Sequence, residues 1–341
     1  MRGPVATIQS LTILVTLMAC PPLASGADSH SELFSLVLSF ERSMANLEPR
    51  MVNVGDDAIA YLERQGDGEV LVLIHGFAAN KDNWVRFVRQ LPPGLRIIVL
   101  DLPGHGDSTF NPQNSYDATS LTRALADILE ALNLEQFHLA GNSYGGWITT
   151  LYAAAYPEHV LSLSLIDSAG VVPPVASELQ LKMLEGDNPL LVENPEDFER
   201  LMEFVFYRQP FLPWPFRPEF ARIYSERAAI NRKIWDDLSE NLDDVVPLLG
   251  DLRMPVLVLW GDRDRVLHVS SVDVYREHLS DVRTIILSEC GHSPIAERPA
   301  ETAGYVTRFL AGELPNGLRL KAPSPSKMDV QFQRQHLERS R

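Results

Sequence analysis

Leu139-Ala140-Gly141-Asn142-Ser143-Tyr144-Gly145-Gly146 reads as a β-strand that turns sharply into a helix, with one serine at the corner. The glycines on either side have a physical reason. A nucleophile at the tip of a strand–turn–helix sits on strained backbone, and a side chain beside it would strike the strand or the helix. The G-x-S-x-G spacing lifts the serine hydroxyl above the edge of a parallel sheet. It also aims the backbone N–H of the next residue, Tyr144, at a developing oxyanion.

The sequence on either side of this turn alternates strand and helix. Phe137 to Ala140 is a strand preceded by an amphipathic helix, Leu121 to Leu132, and Tyr144 to Ala155 is a helix stopped near Pro157. Val70-Leu71-Val72-Leu73-Ile74, Ile97 to Leu100, Val160 to Ile166 and Val256 to Trp260 are unbroken apolar runs, as strands buried on both faces should be. Trp84 to Leu91 and Val269 to Leu279 read as helices, Thr284 to Leu287 as a strand and Ala300 to Leu310 as a closing helix. The pattern predicts an α/β fold with a mostly parallel central sheet flanked by helices. Residues 170–251 break it: they hold no buried strand and are dense in proline and in aromatic residues from Phe198 to Trp235. That stretch is too long for a loop and predicts an inserted helical cap between two core segments, 52–169 and 252–312.

The ends read differently from the middle. Residues 1–27 carry Arg2, an apolar run from Leu11 to Ala19 that is too short to span a membrane, and small residues from Ala24 to Ala27. This is the pattern of a signal peptide. Leu17-Met18-Ala19-Cys20 also resembles a lipoprotein box in which Cys20 would be lipidated. The expected location is therefore exported: periplasmic, secreted or lipid-anchored at the cell envelope. Residues 28–51 are expected to be helical. Leu33, Val37, Phe40, Met44 and Leu47 recur there at helical spacing, widened by Leu36 and Leu38. The stripe is expected to pack on the domain, with contact to a lipid interface by the 32–47 helix as the alternative. Residues 313–341 are proline-containing and polar, expected as a loosely ordered tail. Of the two cysteines, Cys20 and Cys290, only the second would remain for pairing once the leader is removed or lipidated. A net charge of −15 argues against a nucleic-acid partner, which requires a basic face.

A serine hydroxyl needs a base to take its proton and a third group to orient that base. On this kind of fold the order is serine, acid, histidine, each on a loop after a strand. Leu259-Trp260-Gly261-Asp262-Arg263-Asp264 and Glu289-Cys290-Gly291-His292-Ser293-Pro294 both follow strands in that order. His292 is the expected base, and the acid loop offers both Asp262 and Asp264. Asp167, at the end of its own strand, could orient the histidine but is read as a turn or cap before the insertion. His75 and His105 read as structural. No spacing matches a metal site, and neither a metal nor a cofactor is expected.

With His75-Gly76-Phe77 after a strand, Asp101-Leu102-Pro103-Gly104-His105-Gly106-Asp107-Ser108, Trp260-Gly261-x-x-Asp264 and Gly291-His292, the chain resembles the α/β-hydrolase superfamily over residues 52–311. Within it, Gly-Asn-Ser-x-Gly-Gly, the cap and the acid loop are similar to bacterial family V esterases/lipases and to monoacylglycerol lipases of the α/β-hydrolase-domain-6 type. The resemblance implies Ser143 as nucleophile, Asp264 as acid, His292 as base, and a second oxyanion N–H from Phe77 beside that of Tyr144. The side chains of Phe77 and Tyr144 would either line an acyl pocket or pack. It also implies a small-molecule ester or lipid substrate, either a short- to medium-chain acyl ester or a monoacylglycerol, cleaved through an acyl-enzyme. Meta-cleavage C–C bond hydrolases share the elbow, but they carry a glycine-rich oxyanion loop and a tryptophan after the histidine. Phe77-Ala78-Ala79 and Ser293 stand at those places here. A non-catalytic binding protein on the same scaffold would be expected to have lost a triad member.

Overall fold

The computed structural model describes residues 26–212, 216–240 and 244–322. Its strands are β1 (Glu48–Val54), β2 (Asp57–Arg64), β3 (Val70–Ile74), β4 (Arg96–Leu100), β5 (Phe137–Asn142), β6 (Val160–Ile166), β7 (Val256–Gly261), β8 (Val282–Leu287) and β9 (Arg319–Ala322). They form one sheet in the order β1-β2-β4-β3-β5-β6-β7-β8-β9. From β4 to β9 along the sheet every pairing is parallel; β1–β2 and β2–β4 are antiparallel. The apolar runs become these inner strands because both faces are covered. Val72 and Ile74 join the core on one face with helices α3 (Ala118–Ala131) and α4 (Tyr144–Ala155), while Leu71 and Leu73 join the core on the other. There they meet Trp84, Phe87 and Val306, from the turn at Lys81–Trp84, α2 (Val85–Val88) and α12 (Pro299–Leu310). The alternation is the two-residue period of a pleated strand.

Among the described residues, the insertion holds four helices: α5 (Glu178–Leu184), α6 (Pro195–Val205), α7 (Phe216–Glu226) and α8 (Ala228–Glu240). Val245 N donates to Gly170 O at 2.8 Å, closing the stem where the chain leaves and re-enters the core. The cap therefore ends earlier than the sequence boundary at 251. Val245 and α9 (Val246–Leu249) belong to the main core, with Val245 and Leu249 fully buried. Past β7 come α10 (Ser271–His278) and the short α11 (Pro294–Glu297).

Both ends correct the sequence reading. The N-terminal helix, α1 (Gly26–Met44), stops well before residue 51. Asn46 takes a left-handed φ of 54° and Leu47 N reaches back to Arg42 O at 2.9 Å, the geometry of a helix C-terminus. Glu48–Val54 then pairs with β2 across a tight turn at Gly55 and Asp56. At the other end, Arg319–Ala322 is no loose tail but the edge strand beside β8. Residues 1–25, with the expected leader and Cys20, and 323–341 lie outside the described residues.

The anticipated stripe turns inward only in part: Leu47, just past α1, is buried in the core and Val37 is half-buried. Phe34 packs on the cap rings of Phe216 and Phe220, and Arg42 forks onto Asp82 at 2.6 and 2.7 Å. Leu33, Leu36, Phe40 and Met44 face solvent on the other side. No helix among the described residues is long and apolar enough to cross a membrane.

Candidate active site

Ser143 stands between β5 and α4 with φ 56° and ψ −122°, a conformation an L-residue holds only where its surroundings impose it. The surroundings are tight. A Cβ on Gly141 would lie 2.4 Å from Gly145 O, and one on Gly145 would lie 2.4 Å from His75 O. Ser143 N donates to Ile166 O at 3.0 Å, and Gly146 N donates to Ser143 O at 2.9 Å. The half-buried serine is thus fixed by its backbone, and its hydroxyl has no hydrogen-bond partner among the described residues.

The loop after β3 presses against this corner: a Cβ on Gly76 would be 3.1 Å from Ser143 Cβ. His75 braces it. Its Nδ1 donates to Gly76 O at 2.8 Å and its Nε2 accepts from Leu102 N at 3.1 Å. Complete burial pulls the imidazole pKa down to about 4, so it works as a neutral strut of fixed tautomer. Asp101 anchors the same loop, accepting from Lys81 N at 2.7 Å, Lys81 Nζ at 2.6 Å and Asp107 N at 2.9 Å. Among the described residues, neither the Phe77 nor the Tyr144 amide N–H has a protein acceptor. The Tyr144 side chain is committed to the core, its hydroxyl donating to Tyr116 O at 2.7 Å. The Phe77 ring packs beneath the cap.

The acid loop leaves β7 and the histidine loop leaves β8, at the same sheet edge as the elbow. His292 Nδ1 donates to Asp264 Oδ2 at 2.8 Å, and both side chains are buried. The remaining oxygen of Asp264 accepts from Val266 N at 2.8 Å and Leu267 N at 2.9 Å. Asp262 points elsewhere, accepting from Glu289 N at 2.7 Å. The structure thus joins His292 to Asp264 and to neither rival. Asp167 is nevertheless close. One carboxylate oxygen of Asp167, one of Asp264 and a ring nitrogen of His292 lie within 4.8 Å of one another. Its place in the turn before the insertion was legible; its place beside the acid was not. Among the described residues this is the one grouping of three such side chains compact enough for a metal ion, and two of them already bond each other.

Sequence reasoning missed the groups that clamp the cap to these loops. His292 N donates to Val205 O at 2.8 Å. Glu297 accepts from Gly291 N at 3.0 Å, Tyr207 N at 3.1 Å and Arg208 N at 3.0 Å, and burial pushes its carboxyl up to about 7. Arg227 donates to the carbonyls of Gly104 and Gly106. Gly291 apart, these partners lie far from one another in the chain, so no local pattern announces them. Taken together, the site offers a serine on a strained corner, an oriented imidazole and two unengaged amides, the parts of an acyl-transfer centre.

Residues 69–299 match the family described as the alpha/beta hydrolase fold. The chain is 34% identical over 278 residues to Lipase 1 of Psychrobacter immobilis, covering 80% of this chain and 87% of that one. It is 30% identical over 322 residues to monoacylglycerol lipase abhd6-B of Xenopus laevis, covering 88% and 92%. The crystal structure of a membrane phospholipase A, described as a novel bacterial virulence factor, matches with a TM-score of 0.82 and 44% identity, covering 83% of this chain and 92% of that one. Sheet order, elbow and these likenesses agree: the chain belongs to the α/β-hydrolase fold family.

Proposed function

We propose that this chain is a carboxylic ester hydrolase that works through an acyl-enzyme on Ser143. The observation that carries the reading is the Asp264–His292 hydrogen bond at 2.8 Å, placed at the sheet edge where the elbow presents its serine. His292 Nε2 takes the Ser143 proton as the oxygen attacks the ester carbonyl, and Asp264 stabilises the imidazolium. The Phe77 and Tyr144 N–H groups receive the tetrahedral oxyanion without reorganising. The alcohol leaves with the proton, and a water activated by His292 releases the acid.

Relatives named lipase and monoacylglycerol lipase support an ester or lipid substrate. Within that class we favour short- to medium-chain acyl esters and monoacylglycerols. Phe198 fills the cap's own interior and Phe204 packs on Val266 of the acid loop, whereas Trp235 reaches the oxyanion loop. The exposed face of α1 and the expected leader support an exported enzyme that works against a lipid surface. The test is a panel of p-nitrophenyl esters and acylglycerols run on wild type and Ser143→Ala together. Activity peaking at intermediate chain length and lost in the variant is the expected result; a sharp preference for acetate without acylglycerol turnover contradicts the lipid reading.

A further inference from the structure

Asp167 closes β6 and is wholly buried. Its φ of 43° lies in the left-handed region, which L-residues adopt rarely, so its position is imposed. Two bonds impose it: Asp167 N donates to Leu259 O at 2.9 Å, and Oδ1 accepts from Gly261 N at 2.8 Å, where the acid loop begins. The other oxygen, Oδ2, has no hydrogen-bond partner among the described residues. A buried carboxylate oxygen without a partner is costly, and two carboxylates side by side in a dry site do not both ionise. Asp264 accepts three N–H bonds, the work of a carboxylate, whereas Asp167 accepts one.

We infer that Asp167 is a positioning residue of the triad: it carries a proton on Oδ2 and turns that O–H toward Asp264, holding the Asp264 carboxylate in place for His292. The inference rests on the Ser143 reading of the site. Asp264 from the acid loop, Cys290 and His292 from the histidine loop and Glu297 from α11 are the titratable groups around it. Burial first, then the charges of Asp264 and Glu297, keep the Asp167 proton bound well above the usual carboxylate range. A consequence follows for Asp264→Ala. With the Asp264 charge gone, the repulsion that opposes ionisation of Asp167 is removed. Asp167, whose carboxylate lies within 4.8 Å of a His292 ring nitrogen, takes over support of the imidazole.

The experiment is steady-state hydrolysis of p-nitrophenyl butyrate by the full chain from about pH 5 to about pH 9. The variants are Asp167→Ala, Asp167→Asn, Asp264→Ala and Asp264→Ala with Asp167→Asn. Asp167→Ala is expected to lower kcat about 10–100-fold with KM little changed, the scale of a misplaced catalytic group. Its acid limb moves to higher pH, because an Asp264 relieved of its donor holds the His292 proton more firmly. Asp167→Asn keeps an acceptor for Gly261 and an N–H for Asp264, so it restores most of kcat and returns the limb. Asp264→Ala retains hydrolysis that the double variant loses. Wild-type kcat and limb in Asp167→Ala, or a double variant no slower than Asp264→Ala, overturns the inference. Should Asp167→Ala not fold, the asparagine variant and the Asp264 pair decide. Fluorophosphonate labelling of wild type separates the two readings. No adduct at Ser143 sinks the ester-hydrolase reading itself, whereas an adduct with indifferent Asp167 variants sinks only this inference.

Discussion

The ring of Phe77 meets the indole of Trp235 edge-on, with centroids 5.2 Å apart and planes at 67°. One belongs to the loop assigned to the oxyanion, the other to α8 of the cap. The loop and the cap therefore share a contact, through which a change in the cap reaches the loop. Trp235→Ala removes a large ring that supports Phe77. The relative kcat/KM for longer p-nitrophenyl esters is expected to rise, while the rate on the shortest ester falls by less than about tenfold. A chain-length profile of the variant checks this, and an unchanged profile would move acyl selection away from Trp235.

Glu297 gives the link between cap and histidine loop a pH dependence. Its carboxyl is pushed by burial from an ordinary 4.5 to about 7. Between those values the folded protein holds a proton that the unfolded chain has released. The resulting stabilisation is complete below about pH 4.5 and is lost as pH rises through about 7. Glu297→Gln, neutral throughout, is expected to gain on wild type over this range. The readout is the Tm difference between variant and wild type, which should shift in favour of glutamine from about pH 5 to about pH 8. A gap that stays constant would show that Glu297 does not titrate there.

The outer face of α1 leaves Leu36 and Phe40 66% and 62% exposed, with Leu33 and Met44 beside them. We propose that this apolar face meets a lipid interface. Replacing Leu36 and Phe40 together by aspartate is expected to weaken co-sedimentation with phospholipid vesicles. Hydrolysis of a soluble acetate ester should remain. Undiminished vesicle binding would assign lipid contact to another part of the chain.

The inner strands, the serine elbow and the Asp264–His292 pair were readable because each leaves a local mark. Val70–Ile74 is unbroken apolar sequence, and Ser143, Asp264 and His292 each follow such a run. The β1–β2 hairpin was not, since Glu48–Val54 is an edge strand with Pro49 and exposed side chains, and it lacks a buried strand's signature. The facing of α1 failed for a related reason. Apolar spacing marks a stripe but not what lies opposite it, and here Phe34, off the expected stripe, is buried, as is Leu47, while Leu33, Phe40 and Met44 stay exposed. Glu297, Arg227 and Asp167 reach partners 89 to 123 positions away, so only the fold brings their roles into view.

The central claim is that Ser143 is the nucleophile. The most direct measurement is intact-protein mass spectrometry after a fluorophosphonate probe, on wild type and Ser143→Ala, alongside hydrolysis of p-nitrophenyl butyrate. The account predicts one adduct on wild type, mapped to the peptide containing Ser143, with adduct and hydrolysis both lost in the variant. An adduct or a comparable rate that survives Ser143→Ala would contradict it.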